Sequence, residues 1–244
     1  MNILAILPIS IGGRLTTSSI IDGFIANGCN VVIYDELFED KSKLIQHYNQ
    51  NNFDYILSYD YTGVHHNIEN NFNLKTINYF SDLIEGPAST VAHHKYFTEI
   101  QKANNYNFYW DQQDTLRLQD DFENLFYFPH FVNTEIYYDY KQQRPVDIMF
   151  AGRLDTDLRL NNILKICEKF DNYSISWFAI QKHYDDAIAR CNEQQKKYIE
   201  KIYKGFIDNE KIMAEELNKA KIVINFHSQG KSAVNYRSFQ AMAC

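Results

Sequence analysis

The chain has 244 residues, with 24 Lys+Arg against 31 Asp+Glu and a formal net charge of −7. At about 100–200 residues per domain this is one large domain or two small ones, and 45% hydrophobic residues with only 4 Pro and 9 Gly exclude a disordered chain. The acidic balance argues against a non-specific nucleic-acid binder, which needs surface cations to displace the counterions of phosphates, but it leaves room for a local cationic pocket.

Apolar runs and helical patterns alternate from the first residue. Ile3–Leu7 reads as a buried strand, followed by a loop over Pro8–Arg14 that carries Gly12 and Gly13. Thr16, Thr17, Ser18 and Ser19 read as capping residues. The helix they open places Ile20, Ile21, Phe24 and Ile25 on one face and ends at Gly28. Strands follow at Val31–Tyr34, Tyr55–Ser58, Thr76–Tyr79, Tyr106–Trp110 and Leu125–Phe128. A polar helix carries Leu44, Ile45 and Tyr48, and Pro87 suits the first residue of a helix running to Lys102.

After a polar connector at Asn133–Arg144 the pattern restarts. Val146–Ala151 is a strand, Gly152-Arg153 a turn, and Asp155–Phe170 a helix with Leu160, Ile163, Leu164, Cys167 and Phe170 at i, i+3, i+4, i+7 spacing. Ser174–Phe178 is the next strand and Gln181–Tyr203 a charged, mostly helical stretch. A helix then aligns Met213, Leu217 and Ala220 before the strand Ile222–Phe226, the loop His227–Tyr236 and a last helix opening at Arg237. The β-α-β alternation predicts an α/β fold with two Rossmann-like domains in series, residues 1–140 and 141–244.

Cys29, Cys167, Cys191 and Cys244 form neither a disulfide framework nor a zinc pattern. The N-terminus lacks the basic segment and long apolar run of a signal peptide, and no run approaches ~20 apolar residues. The expectation is a cytoplasmic soluble protein, for which peripheral association with a membrane-borne substrate is still compatible.

Gly12-Gly13, between a strand and a helix, sits where a phosphate-binding turn would lie, although the run is not GxGxxG and so disfavours a dinucleotide-dependent oxidoreductase. Asp155-Thr156-Asp157 has the DxD form of a metal motif but opens an amphipathic helix, where capping is the simpler role. His65-His66 and His93-His94 are adjacent pairs whose members point to different sides, which makes each a poor chelate. His65 or His66, read in a loop with Asp60, suits a general base or an acceptor-orienting group. The loop after Ile222–Phe226 holds His227, Gly230, Lys231, Asn235 and Arg237 just before a helix N-terminus, a setting suited to a pyrophosphate or to an ordinary surface loop.

That last segment, Asn235-Tyr-Arg237-Ser-Phe-Gln240-Ala-Met-Ala-Cys244, resembles the sugar-transferase signature N-x-R-x-F-E-A-x-A-C-G. Phe128–Tyr137 resembles the end of the first domain in such proteins. Val146-Asp-Ile-Met-Phe-Ala-Gly152-Arg153, with Arg159 beyond, resembles the opening of the second, and Tyr109-Trp110-Asp111 falls where they place a late strand of the first. The similarity is greatest to CgeB-like (spore-maturation type) bacterial glycosyltransferases of the GT-B class. It implies transfer from a nucleotide-diphosphate sugar to a glycan, polysaccharide or protein acceptor, with no metal or other cofactor required. Donor binding would fall to Gly152, Arg153, His227, Lys231, Asn235, Arg237 and Gln240. The acceptor side would lie near Gly12, Gly13, Asp60, His65 and His66. Gln240 departs from the Glu of the signature, which meets the ribose in that family. The signature also continues past Cys244, so the resemblance implies a second domain that is incomplete here. The alternative is a shortened transferase domain that binds nucleotide or a protein partner without turnover.

Overall fold

The computed structural model describes residues 1–7, 11–36, 38–59, 62–80, 105–120, 124–226 and 234–244. They separate into two compact units, Met1–Phe131 with Ser228–Asn235, and Val132–His227 with Tyr236–Cys244. The helix expected from Pro87 to Lys102 lies outside the described residues.

In the first unit the order is β1 (Asn2–Leu7), α1 (Ile11–Ala26), β2 (Asn30–Asp35), α2 (Lys41–Gln50), β3 (Tyr55–Tyr59), α3 (Thr62–Asn70), β4 (Lys75–Phe80), β5 (Tyr106–Tyr109), α4 (Gln112–Leu118) and β6 (Leu125–Tyr127). Among the described residues these strands form one sheet, β2-β1-β3-β4-β5-β6, and every pairing is parallel. The order reverses beside β1, which creates a topological switch point between β1 and β3.

Strand β1 is buried on both faces because alternate side chains serve two cores. Ile3 and Ala5 pack with Leu57 and with Ile21 of α1, whereas Leu4 and Ile6 pack with Ile56 and with Leu44 of α2. Each of these Ile and Leu side chains contributes about 1.5–3 kcal/mol when fully buried. Helix α1 ends at Ala26, two residues before the Gly28 expected to close it, whose φ of +78° suits glycine.

The second unit contains β7 (Val146–Ala151), α5 (Asp157–Lys169), β8 (Ile175–Phe178), α6 (Gln181–Ala189), α7 (Glu193–Ile202), α8 (Glu210–Asn218), β9 (Ala220–Ile224) and α9 (Tyr236–Ala243). Its parallel sheet runs β8-β7-β9 among the described residues. Ile148 and Phe150 point into a core with α5 and α7, and Met149 points into another with Met213, Ala214 and Leu217 of α8.

Several boundaries differ from expectation. Helix α1 starts at Ile11, so Gly12 and Gly13 lie in its first turns and Thr16–Ser19 lie within it rather than capping it. The charged stretch splits into α6 and α7 because Asn192 forms a capping box with Gln195. Ala220 is the first residue of β9, paired with Val146, instead of the last on a helical face. The strand therefore begins two residues early. Asn225 and Phe226 leave it because Asn225 Nδ2 bonds Ser238 Oγ (2.6 Å) and the Phe226 carbonyl accepts from Arg159 (3.2 Å).

The stretch read as a polar connector is packed. Tyr137 is fully buried with Met149 and α8. Asn218 accepts from the Tyr140 N–H (2.8 Å) and donates to the carbonyls of Tyr138 and Ala214 (2.9 Å each). Arg144 donates to the carbonyls of Ala220 and Cys244. Asn218→Ala would leave buried backbone groups unpaired, and the expected loss is about 1–3 kcal/mol in a denaturant titration.

Gly63, in the first turn of α3, approaches β3 closely. Its N–H donates to Ser58 Oγ at 2.8 Å, and a Cβ there would lie 2.7 Å from both Ile56 Cγ2 and Ser58 Cβ. Gly63→Ala is therefore expected to destabilise the first unit by about 1–3 kcal/mol, overriding the better helix propensity of alanine.

Candidate functional site

In open parallel sheets ligands bind beyond the carboxyl ends of the strands, at the point where strand order reverses. In the second unit that point lies between β7 and β9. Strand β7 delivers Gly152 and Arg153 there. Gly152 N–H donates to the Phe178 carbonyl (3.0 Å) and its own carbonyl accepts from Trp177 Nε1 (2.9 Å), which pins the turn to β8. A Cβ on Gly152 would sit 3.1 Å from the Phe150 ring, so the turn is kept bare by what lies beneath it.

Two guanidinium groups share one carboxylate at this edge. Asp155 meets Arg159 Nη1 at 2.9 Å and Arg153 Nε at 3.5 Å. Arg159 is mostly buried, and its Nη2 donates to the Phe226 carbonyl, spanning the switch point from α5 to the end of β9. Arg153 is exposed. The local balance is positive, and Asp155 is committed to arginines. The cap of α5 is Thr156, whose hydroxyl accepts from the Arg159 N–H, and not an Asp of the DxD-like triplet.

Helix α6 adds His183, which sequence reasoning did not single out. Burial, and then the Arg153 charge, hold its imidazole below the usual histidine range, against the smaller opposing pull of Asp155 and Asp186. The only signal in the sequence is its position five residues past the β8 end.

Helix α9 opens beside the end of β9, tied to it by the Asn225–Ser238 bond. Arg237 Nη1 donates to Gln240 Oε1, and Gln240 Nε2 donates to Tyr137 Oη at 2.5 Å. Tyr236 donates its hydroxyl to the buried Glu210 carboxylate at 2.9 Å. Burial lowers the Arg237 pKa and raises that of Tyr137. Tyr137 and Glu210 were not anticipated as part of this constellation, because their contribution depends on chain segments far from α9.

In the first unit, His65 and His66 lie on α3, not in the loop that was expected. Ser58, Gly63 and the close α3–β3 packing start the helix immediately after the strand. His66 Nε2 meets Glu36 Oε1 at 2.7 Å, both side chains being largely buried, while its Nδ1 is buried with no hydrogen bond among the described residues. His65 Nε2 lies 3.4 Å from the exposed Glu69, which Lys41 also holds. The carboxylate of Glu36 fixes the orientation of one imidazole, and a base acting from Nδ1 would have to be uncovered first. Gly12 and Gly13 are helical, as described above, and Asn235 directly precedes α9. Asp60, His93, His94, His227 and Lys231 lie outside the described residues. Among the described residues no helix is long and apolar enough to cross a membrane.

No family model matches the chain, and no curated protein matches it by sequence. Among solved structures it is similar to a glycosyltransferase from Rickettsia africae ESF-5, with a TM-score of 0.53 and 12% identity over 91% of this chain and 72% of that one. It is also similar to a ugt transferase from Siraitia grosvenorii in complex with UDP, with a TM-score of 0.48 and 10% identity over 84% of this chain and 70% of that one. The fold is the α/β, Rossmann-like arrangement of GT-B glycosyltransferases.

Replacing Arg153 by Gln should raise the His183 pKa part of the way towards 6.5, leaving the effect of burial in place. An NMR titration of the imidazole checks it. Because the folded chain binds this proton less readily than the unfolded one, the His183 contribution to stability is full above 6.5 and declines as pH falls through the folded pKa. Arg153→Gln should shrink that decline.

Proposed function

We propose that this chain is a glycosyltransferase that draws its sugar from a nucleotide-diphosphate donor held on the second unit. The acceptor, a glycan, polysaccharide or protein hydroxyl, is received on the first. The observation that supports this most directly is the cationic switch-point edge of the β8-β7-β9 sheet. There Arg153 and Arg159 share one carboxylate beside the bare Gly152 turn, and Arg237 opens the following helix. The likeness of fold to a glycosyltransferase is consistent with it.

The chemistry follows from where charge develops. The bond between the anomeric carbon and the β-phosphate oxygen breaks, and the departing nucleoside diphosphate gains negative charge. Preorganised guanidinium groups and a helix N-terminus stabilise that charge more than the ground state. In this reading Arg153, Arg159 and Arg237 of the second unit neutralise the diphosphate without requiring a metal. Gly152 lets the donor approach the backbone. The acceptor oxygen forms the new glycosidic bond and yields its proton to a base. His65, His66 and Asp60 are the candidates for that base; His65 is the more accessible imidazole, and His66, held by Glu36, could act only once its buried Nδ1 is uncovered.

Calorimetry with UDP, GDP, ADP and TDP tests the donor half. At least one should bind, and Arg153→Ala or Arg159→Ala should weaken it about 10–100-fold, the worth of a charge-assisted hydrogen bond of about 1.5–3 kcal/mol. Failure of all four to bind would sink the proposal. Binding with no sugar transfer or donor hydrolysis would point to a nucleotide-binding domain without turnover.

A further inference from the structure

Gln240 stands where the transferase signature has Glu, and its surroundings show what the amide does here. The residue is wholly inaccessible to solvent, as is Tyr137. Arginine can only donate, so the Arg237 contact faces the amide oxygen and the amide nitrogen is left for Tyr137. Both ends of the amide are thus taken up inside the protein, and neither is offered to a ribose. Tyr137 Oη must accept, so its own hydrogen points away from Gln240.

Arg237 makes no direct ion pair within this cluster. Its Nη1 partner is a neutral amide, and its buried Nε makes no hydrogen bond. Among the described residues no carboxylate comes within ion-pair distance of it. Glu210, the acid of the same cluster, accepts from Tyr236 and acts on Arg237 only through space. Withdrawing a guanidinium from water without a counter-charge is costly. A neutral partner preserves the charge for something else, whereas a carboxylate at 240 would cancel it.

We propose that Tyr137 and Gln240 are positioning residues of the donor site. Tyr137 holds the Gln240 amide, and the amide holds Arg237 as a cation with no direct carboxylate partner, so that the diphosphate of the ligand supplies one. The inference rests on the donor reading above and adds the means by which the cation is kept oriented and without a direct carboxylate partner.

Glu at position 240 separates this from a purely structural role. In Gln240→Glu the carboxylate accepts from Arg237 and from the Tyr137 hydroxyl, so both partners stay satisfied and the melting temperature should hold. Inorganic pyrophosphate, titrated by calorimetry at two salt concentrations, reads the cation without involving a base or sugar. The expected result is about tenfold weaker binding and a shallower salt dependence in Gln240→Glu, reflecting the gap between charge-assisted and neutralised hydrogen bonding. Tyr137→Phe should weaken pyrophosphate binding in the same direction, and its melting temperature shows whether it stays folded. Unchanged or tighter pyrophosphate binding in Gln240→Glu overturns the inference. If wild-type protein binds a nucleoside diphosphate while Gln240→Glu binds pyrophosphate unchanged, this inference falls and the donor reading stands. If wild-type protein binds neither, both fall.

Discussion

A strand can join a parallel neighbour only if the chain first returns along the length of the sheet, and in this protein every observed strand pairing is parallel. The return is made by helices and loops over the sheet faces. In consequence, the turns that leave the strands all open at one edge of each sheet. The chemistry-bearing residues are placed by that constraint: Glu36 just past β2, Gly63 and His66 early in α3, Gly152 and Arg153 after β7, and Arg237 beyond β9. The same constraint buries both faces of the central strands, which is why β1 is a continuous apolar run and not an alternating one.

At the carboxyl edges the two units treat charge differently. In the first, each imidazole of α3 is matched to a carboxylate, His66 to Glu36 and His65 to Glu69, and Lys41 completes the group. In the second, cations outnumber the acids that meet them. Asp155 serves two arginines, and Arg237 is met by an amide. Balanced pairs fix geometry. A surplus of buried or half-buried cations carries an energetic cost that is relieved when an anion arrives. The depressed His183 pKa belongs to the same pattern, since burial and a neighbouring guanidinium both resist a further positive charge.

The strands were legible because short apolar runs bounded by polar turns are a local signal, and each of the nine observed strands overlaps a run read from the sequence. Their ends were less so. The start of β9 is decided by the pairing of Ala220 with Val146, a partner 74 residues away, and its end by bonds from Ser238 and Arg159. Helix α1 includes Gly12 and Gly13 although glycine and hydroxyl residues predict a later start. Thr156 took the capping role that Asp155 could also have filled, because Asp155 had two guanidinium partners.

The sequence by itself determined the alternation of strands and helices, the α/β class and the residue types at each turn, because these follow from the order of neighbouring residues. The motif around Arg237 and Gln240 was visible as a spacing on one helix, and the Gly152-Arg153 turn as a strand end. What only the tertiary structure decided is who meets whom. Gln240 finds Tyr137 across 103 positions and His66 finds Glu36 across 30. Asn218 closes on Tyr138 and Tyr140 across about eighty, which turns an apparent connector into part of the second core. A linear pattern shows which side chains share a face, but hydrogen bonds and ion pairs act over a few ångströms, and such closeness between distant residues exists only once the sheets have set their order and register.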